Sequence, residues 1–186
     1  MSQSGPARIA PGHVAVALLA VLACAAALAG LGWQAFGDAD GAVSGGARVS
    51  DVDVPAVANL QPRLRAALRR AAADAARVGV EIRVASGWRS PAYQTRLLRQ
   101  AVAKHGSPEK AARWVATADT SSHVSGDAVD IGPARATAWL SRHGARYGLC
   151  RTYRNEPWHF ELRPAAADGG CPAMYADPRR DPRMKP

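Results

Sequence analysis

The sequence has little of several features that define common protein classes. It holds only three cysteines and no Cys-x-x-Cys pair, which excludes a cysteine-based metal site of that spacing. Aromatic residues make up 6% of the chain, and no Lys/Arg cluster alternates with them, which disfavours nucleic-acid binding. No internal repeat is evident. What remains is a basic chain of 186 residues, net charge +9, which suits one domain with accessory segments and an anionic partner such as nucleic acid, an acidic lipid or a polyanionic cell wall.

Charge is also absent from one long N-terminal stretch, Val14 to Leu31, and Arg8 lies just upstream of it. Its length of about 18 residues is at the lower edge of what crosses a bilayer. It also resembles the hydrophobic region of a signal peptide with a small-residue cleavage site at 27–29, or a degenerate lipobox ending at Cys24. All three alternatives export the C-terminal remainder of the chain. Residues 1–33 are therefore predicted to be a signal or membrane anchor, and the protein to be extracytoplasmic, membrane-anchored or secreted.

The remainder divides into a linker and a folded domain. Residues 34–53 are rich in Gly, Ala, Ser and Asp without hydrophobic periodicity, which predicts a flexible linker. Residues 54–186 are predicted to form the domain, with a surface tail from about 164 that only Cys171 ties down. In an oxidising compartment Cys150 and Cys171 are expected to pair, and a loop of about 20 residues makes that bond worth roughly 3 kcal/mol. The alternative is two unpaired buried thiols.

The order of helices and strands predicts an α+β domain. Apolar residues recur at helical spacing in some segments and alternate with polar ones in others. The predicted helices are 62–78, 91–104, 108–116 and 134–146, and the predicted strands are 80–84, 128–131, 149–153 and 158–162. Two closely connected strands at the C-terminal end favour a small antiparallel sheet flanked by helices. Trp114 falls at a helical position and is predicted to pack inside the domain.

The segment from Ser121 to Asp130 contains the first side chains of a candidate metal site. His123 and Asp130 lie on either side of Gly126, which permits a tight turn. Asp130 lies in an otherwise apolar strand, and a carboxylate among such neighbours should be paired or bound to a metal, because isolated burial is costly. The alternative for Asp130 is a salt bridge to one of the many arginines.

A second segment, Glu156-Pro-Trp-His159, supplies another imidazole and another carboxylate. Pro157 disfavours a helix, so His159 should lie on a strand and Glu156 in the turn before it. Such a turn can place Glu156 beside a metal-bound water as its base. The alternative is a surface glutamate and an ordinary strand histidine. Two imidazoles, a ligand carboxylate and a base together match a catalytic zinc site, which has three protein ligands and one open position.

The two segments resemble a known family, and the resemblance rests on one pattern: Ser121-x-His123-x-x-Gly126-x-Ala128-x-Asp130 followed by Glu156-x-Trp158-His159. The pattern is similar to that of the zinc D-alanyl-D-alanine carboxypeptidases, including the vancomycin-resistance type, which share a fold with lysostaphin-like peptidases and the hedgehog signalling domain. The resemblance covers residues 60–162. It implies that His123, Asp130 and His159 bind Zn²⁺ and that Glu156 is the catalytic base.

Residues 86–94, Ser-Gly-Trp-Arg-Ser-Pro-Ala-Tyr-Gln, resemble the upstream segment of the same family. That match implies that Arg89 faces the scissile carbonyl or the terminal carboxylate of the substrate, and that Ser121 and Gln94 hydrogen-bond the peptide. Physical chemistry supports Arg89 independently, since a guanidinium can hold a carboxylate by two parallel bonds and stabilise an oxyanion. The alternative for Arg89 is a surface arginine beside a helix.

These features predict an exported, monomeric zinc metallopeptidase that hydrolyses the C-terminal D-Ala-D-Ala bond of peptidoglycan stem peptides. Two alternatives stay open. One is a peptidoglycan endopeptidase of the same chemistry, and the other is a non-catalytic, zinc-containing module that binds the cell wall. Glu156 argues against the binding module, because a purely structural zinc site has no use for a base beside an open position.

Overall fold

The computed structural model describes residues 38–184. The predicted signal or anchor and the start of the predicted linker lie outside this range, so they stay predictions. No helix within residues 38–184 is long and apolar enough to cross a membrane.

A five-stranded antiparallel sheet forms the centre of the domain and confirms the predicted α+β class. Across the sheet the strands are β1 (Ala47–Arg48), β2 (Arg83–Ser86), β3 (Ala128–Gly132), β5 (His159–Leu162) and β4 (Leu149–Arg151). The pairing of β3 with β5 places Asp130 directly opposite His159. The middle of the sheet therefore carries two of the predicted metal ligands side by side.

Short or medium helices surround the sheet in residues 40–184, the described part of the chain after the helical residues 38–39. They are α1 (Pro55–Ala58), α2 (Pro62–Ala76), α3 (Pro91–His105), α4 (Pro108–Ala111), α5 (Ala134–His143) and α6 (Ala166–Gly169). Several begin with proline in the first turn, where the backbone N–H has no helical partner in any case. Ser90 caps α3, because its hydroxyl accepts a hydrogen bond from the backbone N–H of Tyr93 at 3.0 Å.

The main core lies between α2 and the sheet. Helix α2 buries one apolar face at helical spacing, made of Leu64, Ala67, Leu68, Ala71 and Ala75. This face belongs to the same buried cluster as Val129 of β3 and Phe160 of β5. Side chains alternate between the faces of a strand. Because Phe160 points into the core, His159 and Glu161 lie on the opposite face of β5, where the candidate site forms.

Part of the predicted linker is folded into the domain. Ala47 and Val49 are buried, β1 pairs with β2, and the carboxylate of Asp40 accepts a hydrogen bond from the Ser90 hydroxyl at 2.7 Å. One of the glycines that suggested flexibility serves close packing instead. Gly41 has φ +89°, and a Cβ there would lie 2.1 Å from the carbonyl oxygen of Trp88. The folded domain thus begins before residue 54, unlike the prediction.

The predicted helix at 108–116 is shorter than expected. Helix α4 ends at Ala111, and the chain then turns away. The carbonyl of Arg113 accepts a hydrogen bond from the Asn155 side chain at 2.8 Å, and the Arg113 guanidinium pairs with Asp177 at 3.2 Å. These long-range contacts replace helical ones. Trp114 is 41% exposed, so the prediction that it packs inside the domain is wrong.

The C-terminal segment was predicted to be a surface tail, and its end is instead integrated into the domain. Asp177 and Asp181 are buried, and residues 178–180 and 182–184 form short 3₁₀ turns. The segment looks solvent-exposed in sequence because Asp177 and Arg183 have partners in distant elements, Arg113 and Glu161. The predicted disulfide between Cys150 and Cys171 is confirmed, with a Cα–Cα distance of 5.5 Å.

Candidate active site

The loop before β3 brings His123 to the sheet. Its turns are closed by backbone hydrogen bonds from Val124 to Ser121 at 3.0 Å and from Gly126 to His123 at 3.2 Å. Gly126 has φ +76°, and a Cβ there would lie 2.5 Å from the carbonyl oxygen of Asn59. Only glycine allows this turn to pack against the α1–α2 connection. The turn sets His123 beside Asp130 and His159.

These three side chains direct one donor atom each to a common centre. His123 Nε2 lies 3.3 Å from His159 Nδ1, and Asp130 Oδ1 lies 3.4 Å and 3.2 Å from those two nitrogens. Tetrahedral Zn²⁺ with bonds of about 2.0–2.1 Å separates its ligand atoms by about 3.3–3.4 Å. The donor types and their spacing therefore fit a zinc ion held by all three side chains.

Hydrogen bonds on the far side of each imidazole orient its lone pair toward the centre. The Nδ1 atom of His123 lies 2.7 Å from the carbonyl oxygen of Gly87, which can only accept, so Nδ1 carries the proton and Nε2 is free to bind. His159 is arranged in the opposite sense. Its Nε2 lies 3.2 Å from Glu161 Oε1, which leaves Nδ1 for the metal. Such outer partners fix the tautomer and ring orientation of metal-binding histidines.

Asp130 is held as a carboxylate. Burial raises its pKa, but His123, His159 and the Arg89 guanidinium outweigh burial and hold the pKa well below its usual range. Arg89 Nη2 donates to Asp130 Oδ2 at 2.8 Å, while Oδ1 faces the histidines. Arg89 thus uses one oxygen of Asp130 and leaves the other for a metal. The salt bridge and the predicted metal-ligand role are therefore compatible.

The two histidines differ in their affinity for a proton. Burial lowers the pKa of His123, and the neighbouring Arg89 adds to that effect. Burial also acts to lower the pKa of His159, but its hydrogen bonds to Asp130 and Glu161 raise the pKa to about 9. Without a metal, His159 therefore carries a second proton, and a positive charge, at neutral pH. A cation at the centre would take the place of that proton.

Glu156 lies in the turn before β5, as predicted, with its carboxylate against the metal centre. Its Oε2 is 3.8 Å from His159 Nδ1, and the residue is only 7% exposed. Burial raises the pKa of Glu156 to about 7. A carboxyl group with that pKa can both accept and return a proton near neutral pH.

The three predicted substrate-binding residues line the same cavity but differ in how many of their hydrogen-bonding groups are already used within the protein. Arg89 donates three hydrogen bonds, from Nε to Ser86 Oγ, from Nη1 to Gln94 Oε1 and from Nη2 to Asp130 Oδ2. The amide of Gln94 is occupied at both ends, since its nitrogen donates to the Ala116 carbonyl at 2.9 Å. Gln94 thus supports Arg89 directly. Ser121 is buried at the cavity wall.

A cavity of about 190 Å³ opens over the metal centre. Sequence reasoning missed several of its walls, namely Trp114, Tyr153, Trp158, Pro178 and Met184. Trp158 is 42% exposed between the buried Glu156 and His159. Its position next to the candidate ligand His159 was the signal that the sequence offered for it. Pro178 and Met184 come from the C-terminal segment, and nothing local in the sequence indicates their position.

Glu161 is the other residue missed at the site. It is completely buried and accepts ion-pair contacts at 2.7 Å from both Arg163 and Arg183. Burial opposes its charge, but His159 and Arg183 hold the pKa of Glu161 well below its ordinary value. A signal existed in the sequence, because residues i and i+2 of a strand share a face and His159 and Glu161 have that spacing. The site therefore combines three metal donors, a base and a fixed outer partner, a set suited to hydrolysis of a carbonyl compound.

Comparison with known proteins agrees with this architecture. Residues 57–165 match the family model described as VanY, D-alanyl-D-alanine carboxypeptidase. A D-alanyl-D-alanine carboxypeptidase of Enterococcus faecalis is 33% identical over 113 residues, which are 47% of this chain. The chain spans 42% of the length of that relative.

Two solved structures of vancomycin-resistance enzymes resemble the domain. One is a mutant of the D,D-pentapeptidase VanY from a VanB-type resistance cassette in complex with Zn(II), with TM-score 0.55 and 26% identity, covering 60% of this chain and 80% of that one. The other is VanYB in complex with D-alanine-D-alanine, with the same TM-score and identity, covering 60% and 79%. The matched residues include every predicted ligand and the predicted base. The chain belongs to the VanY family of D-alanyl-D-alanine carboxypeptidases.

Proposed function

We propose that this protein is a zinc-dependent D-alanyl-D-alanine carboxypeptidase that removes the C-terminal D-alanine of peptidoglycan stem peptides. The observation that carries the proposal is the triangle of donor atoms, 3.2–3.4 Å apart, with the Glu156 carboxylate beside it. Family membership supports the reaction. The Zn(II) and D-alanine-D-alanine complexes of the two similar structures support the metal and the end of the peptide that is bound.

His123, Asp130 and His159 would hold the Zn²⁺ through Nε2, Oδ1 and Nδ1. A zinc ion in such a site supplies Lewis acidity toward water and toward a carbonyl oxygen. Glu156 takes a proton from the attacking water and later gives it to the leaving amine of D-alanine, which balances the proton over one turnover. Its pKa of about 7 suits both transfers.

Arg89 and Ser121 would orient the peptide. The Arg89 guanidinium has five N–H donors, and three are used within the protein, so two remain for the substrate. Its side chain is 14% exposed and lines the cavity with Ser121. These donors can bind the carbonyl oxygen that gains charge during attack, or the terminal carboxylate. Gln94 acts on the substrate through Arg89.

We further propose that the protein works outside the cytoplasm as a monomer, with the N-terminal segment as a signal or anchor. A disulfide between Cys150 and Cys171 supports an oxidising compartment. Membrane flotation of the expressed chain and light scattering of the purified protein test the anchor and the monomer separately.

Mass spectrometry of a pentapeptide-bearing muropeptide tests the reaction. The zinc-loaded protein should release one D-alanine, and Glu156→Gln should abolish release while the zinc content is unchanged. Glu81→Gln is the matched control, because Glu81 is an exposed glutamate outside the cavity. Cleavage within the stem or cross-bridge would indicate an endopeptidase instead. Binding of the muropeptide without any product would indicate a wall-binding module, and either result contradicts the proposal.

A further inference from the structure

Glu161 has no role in the proposed reaction, yet its carboxylate contacts His159 and two arginines. Its Oε1 atom lies 3.2 Å from Nε2 of His159. Its Oε2 atom accepts hydrogen bonds from Arg163 Nη2 and Arg183 Nη1, both at 2.7 Å. A fully buried carboxylate needs compensation of this kind. The one contact it makes toward the cavity is with a metal ligand.

Arg183 connects Glu161 to the C-terminal segment, residues 177–184. Its two terminal nitrogens contact both oxygens of Glu161, at 2.7 Å and 3.3 Å, in the two-pronged geometry that guanidinium and carboxylate groups favour. Its Nε and Nη2 also donate to Asp181, which is fully buried, so Nη2 is shared between the two carboxylates. Arg183 therefore joins two buried carboxylates that would otherwise repel each other.

The contacts close into a ring that returns to the metal ligand. Asp181 Oδ2 accepts a hydrogen bond from the Tyr153 hydroxyl at 3.1 Å. The Tyr153 ring packs on the imidazole of His159, with ring centroids 5.0 Å apart. His159 is thus held at its edge by Glu161 and at its face by Tyr153, and both of these residues are bonded to the Arg183–Asp181 pair.

We propose that Arg183 is a positioning residue for the metal centre, acting through Glu161. The Arg183 fork fixes the orientation of the Glu161 carboxylate, and that carboxylate holds the N–H of His159 on Nε2. The lone pair of Nδ1 is thereby aimed at the metal. This inference rests on the proposed zinc site.

Geometry distinguishes Arg183 from Arg163, the other cation on Glu161. Arg163 contacts Oε2 alone from the end of the same strand, whereas Arg183 contacts both oxygens from a separate segment. One-point contact leaves a carboxylate free to rotate, and two-point contact does not. We expect Arg163→Gln to weaken metal binding less than Arg183→Gln.

Zinc affinity, measured by competition with a chromophoric chelator, tests the proposal without any substrate. Loss of an outer partner of a metal-binding histidine typically weakens affinity 10–100-fold. We expect a loss of about that size in Glu161→Gln and Arg183→Gln. Arg183→Lys, which keeps the charge but not the fork, should lie in between. Arg77→Gln, which removes an exposed arginine paired with Asp74 outside the cavity, should bind zinc as the parent does.

A spectroscopic measurement tests the tautomer itself. In the Co²⁺-loaded protein, the N–H of each metal-bound imidazole gives a shifted, exchangeable proton resonance, one from His123 Nδ1 and one from His159 Nε2. Glu161→Gln and Arg183→Gln should speed exchange of the second resonance and leave the first unchanged. If Arg183→Gln fails to fold, Arg183→Lys carries the test, because it keeps the charge but not the fork.

The outcomes separate this inference from the proposed function. If the parent protein binds no zinc, the proposed function itself fails. If the parent binds zinc and Arg183→Gln binds it equally well with two unchanged N–H resonances, the positioning role of Arg183 is overturned and the proposed function stands, whatever the result for Glu161→Gln.

Discussion

Competition between a proton and the metal at His159 gives the sharpest prediction. Hydrogen bonds to Asp130 and Glu161 raise the pKa of His159 to about 9, so the metal-free protein holds a proton there at neutral pH. A metal-binding imidazole must be neutral, with no proton on the nitrogen that binds the metal. Zinc binding should therefore release that proton, and the affinity for zinc should fall as the pH falls below 9. His123 should add no slope above pH 6.5, because burial lowers its pKa.

The size of this fall in zinc affinity follows from the fraction of His159 that is in the neutral form. With a pKa of about 9, that fraction is about one in ten at pH 8 and about one in a thousand at pH 6. Zinc affinity should then fall about 100-fold between pH 8 and pH 6, which corresponds to about 2.7 kcal/mol. Asp130 adds nothing to this change, because its pKa is held well below its usual range and it stays ionised throughout.

The measurement is best made in the Glu156→Gln variant. Glu156 has a pKa of about 7, so it titrates in the same range and would add its own proton to the count. Calorimetry in buffers of different ionisation enthalpy should show close to one proton released per zinc ion at pH 7. Chelator competition at pH 6, 7 and 8, corrected for the protonation of the chelator, gives the slope. Less than a tenfold change in affinity across that range, or no proton released, would refute the reasoning.

Three further predictions test the site and the fold. Arg89→Ala should lower kcat by about 10²–10³, the effect of removing one oxyanion donor, and steady-state release of D-alanine measures it. Cys150→Ser should lower the free energy of unfolding by roughly 3 kcal/mol, seen in urea titration with the reduced parent protein as control. Leu68→Ala should cost about 2–5 kcal/mol, because Leu68 is fully buried under the sheet, and Val78→Ala, exposed after α2, should cost far less.

Each of these three has a contrary result. An unchanged kcat in Arg89→Ala would mean that the guanidinium only supports Asp130. Equal stability of Cys150→Ser and the oxidised parent would mean that the disulfide does not constrain the unfolded chain. A loss in Leu68→Ala no greater than in Val78→Ala would contradict the position of α2 against the sheet.

The candidate ligands and the candidate base could be named from the sequence because each signal is local. Asp130 is an ionisable residue inside an apolar strand, and Pro157 forces Glu156 and His159 into a turn and a strand. The structure then brings these residues together through the pairing of β3 with β5. The fold class came from the same local patterns, since the helix predicted at 62–78 forms as Pro62–Ala76 and the last two strands pair as expected.

The missed features depend on contacts between distant parts of the chain. Gly41 looks like a linker residue until its approach to Trp88 is seen. Arg183 looks like a charge on a surface tail, because nothing near it in sequence shows that Glu161 lies buried within its reach. Such long-range pairing of charges leaves no periodic pattern, which is why the place of Arg183 behind Glu161 and His159 could not be predicted.

The charge balance of the site explains how it can be formed before a metal arrives. Asp130 is compensated by Arg89, and Glu161 is compensated by Arg163 and Arg183. The other two carboxylate oxygens, Asp130 Oδ1 and Glu161 Oε1, each face one nitrogen of the protonated His159 ring. Because both buried carboxylates have arginine partners within the protein, we expect the domain to fold without the metal, in contrast to small zinc domains that unfold without it. The disulfide and the core under α2 carry the fold, and zinc is left to serve the chemistry.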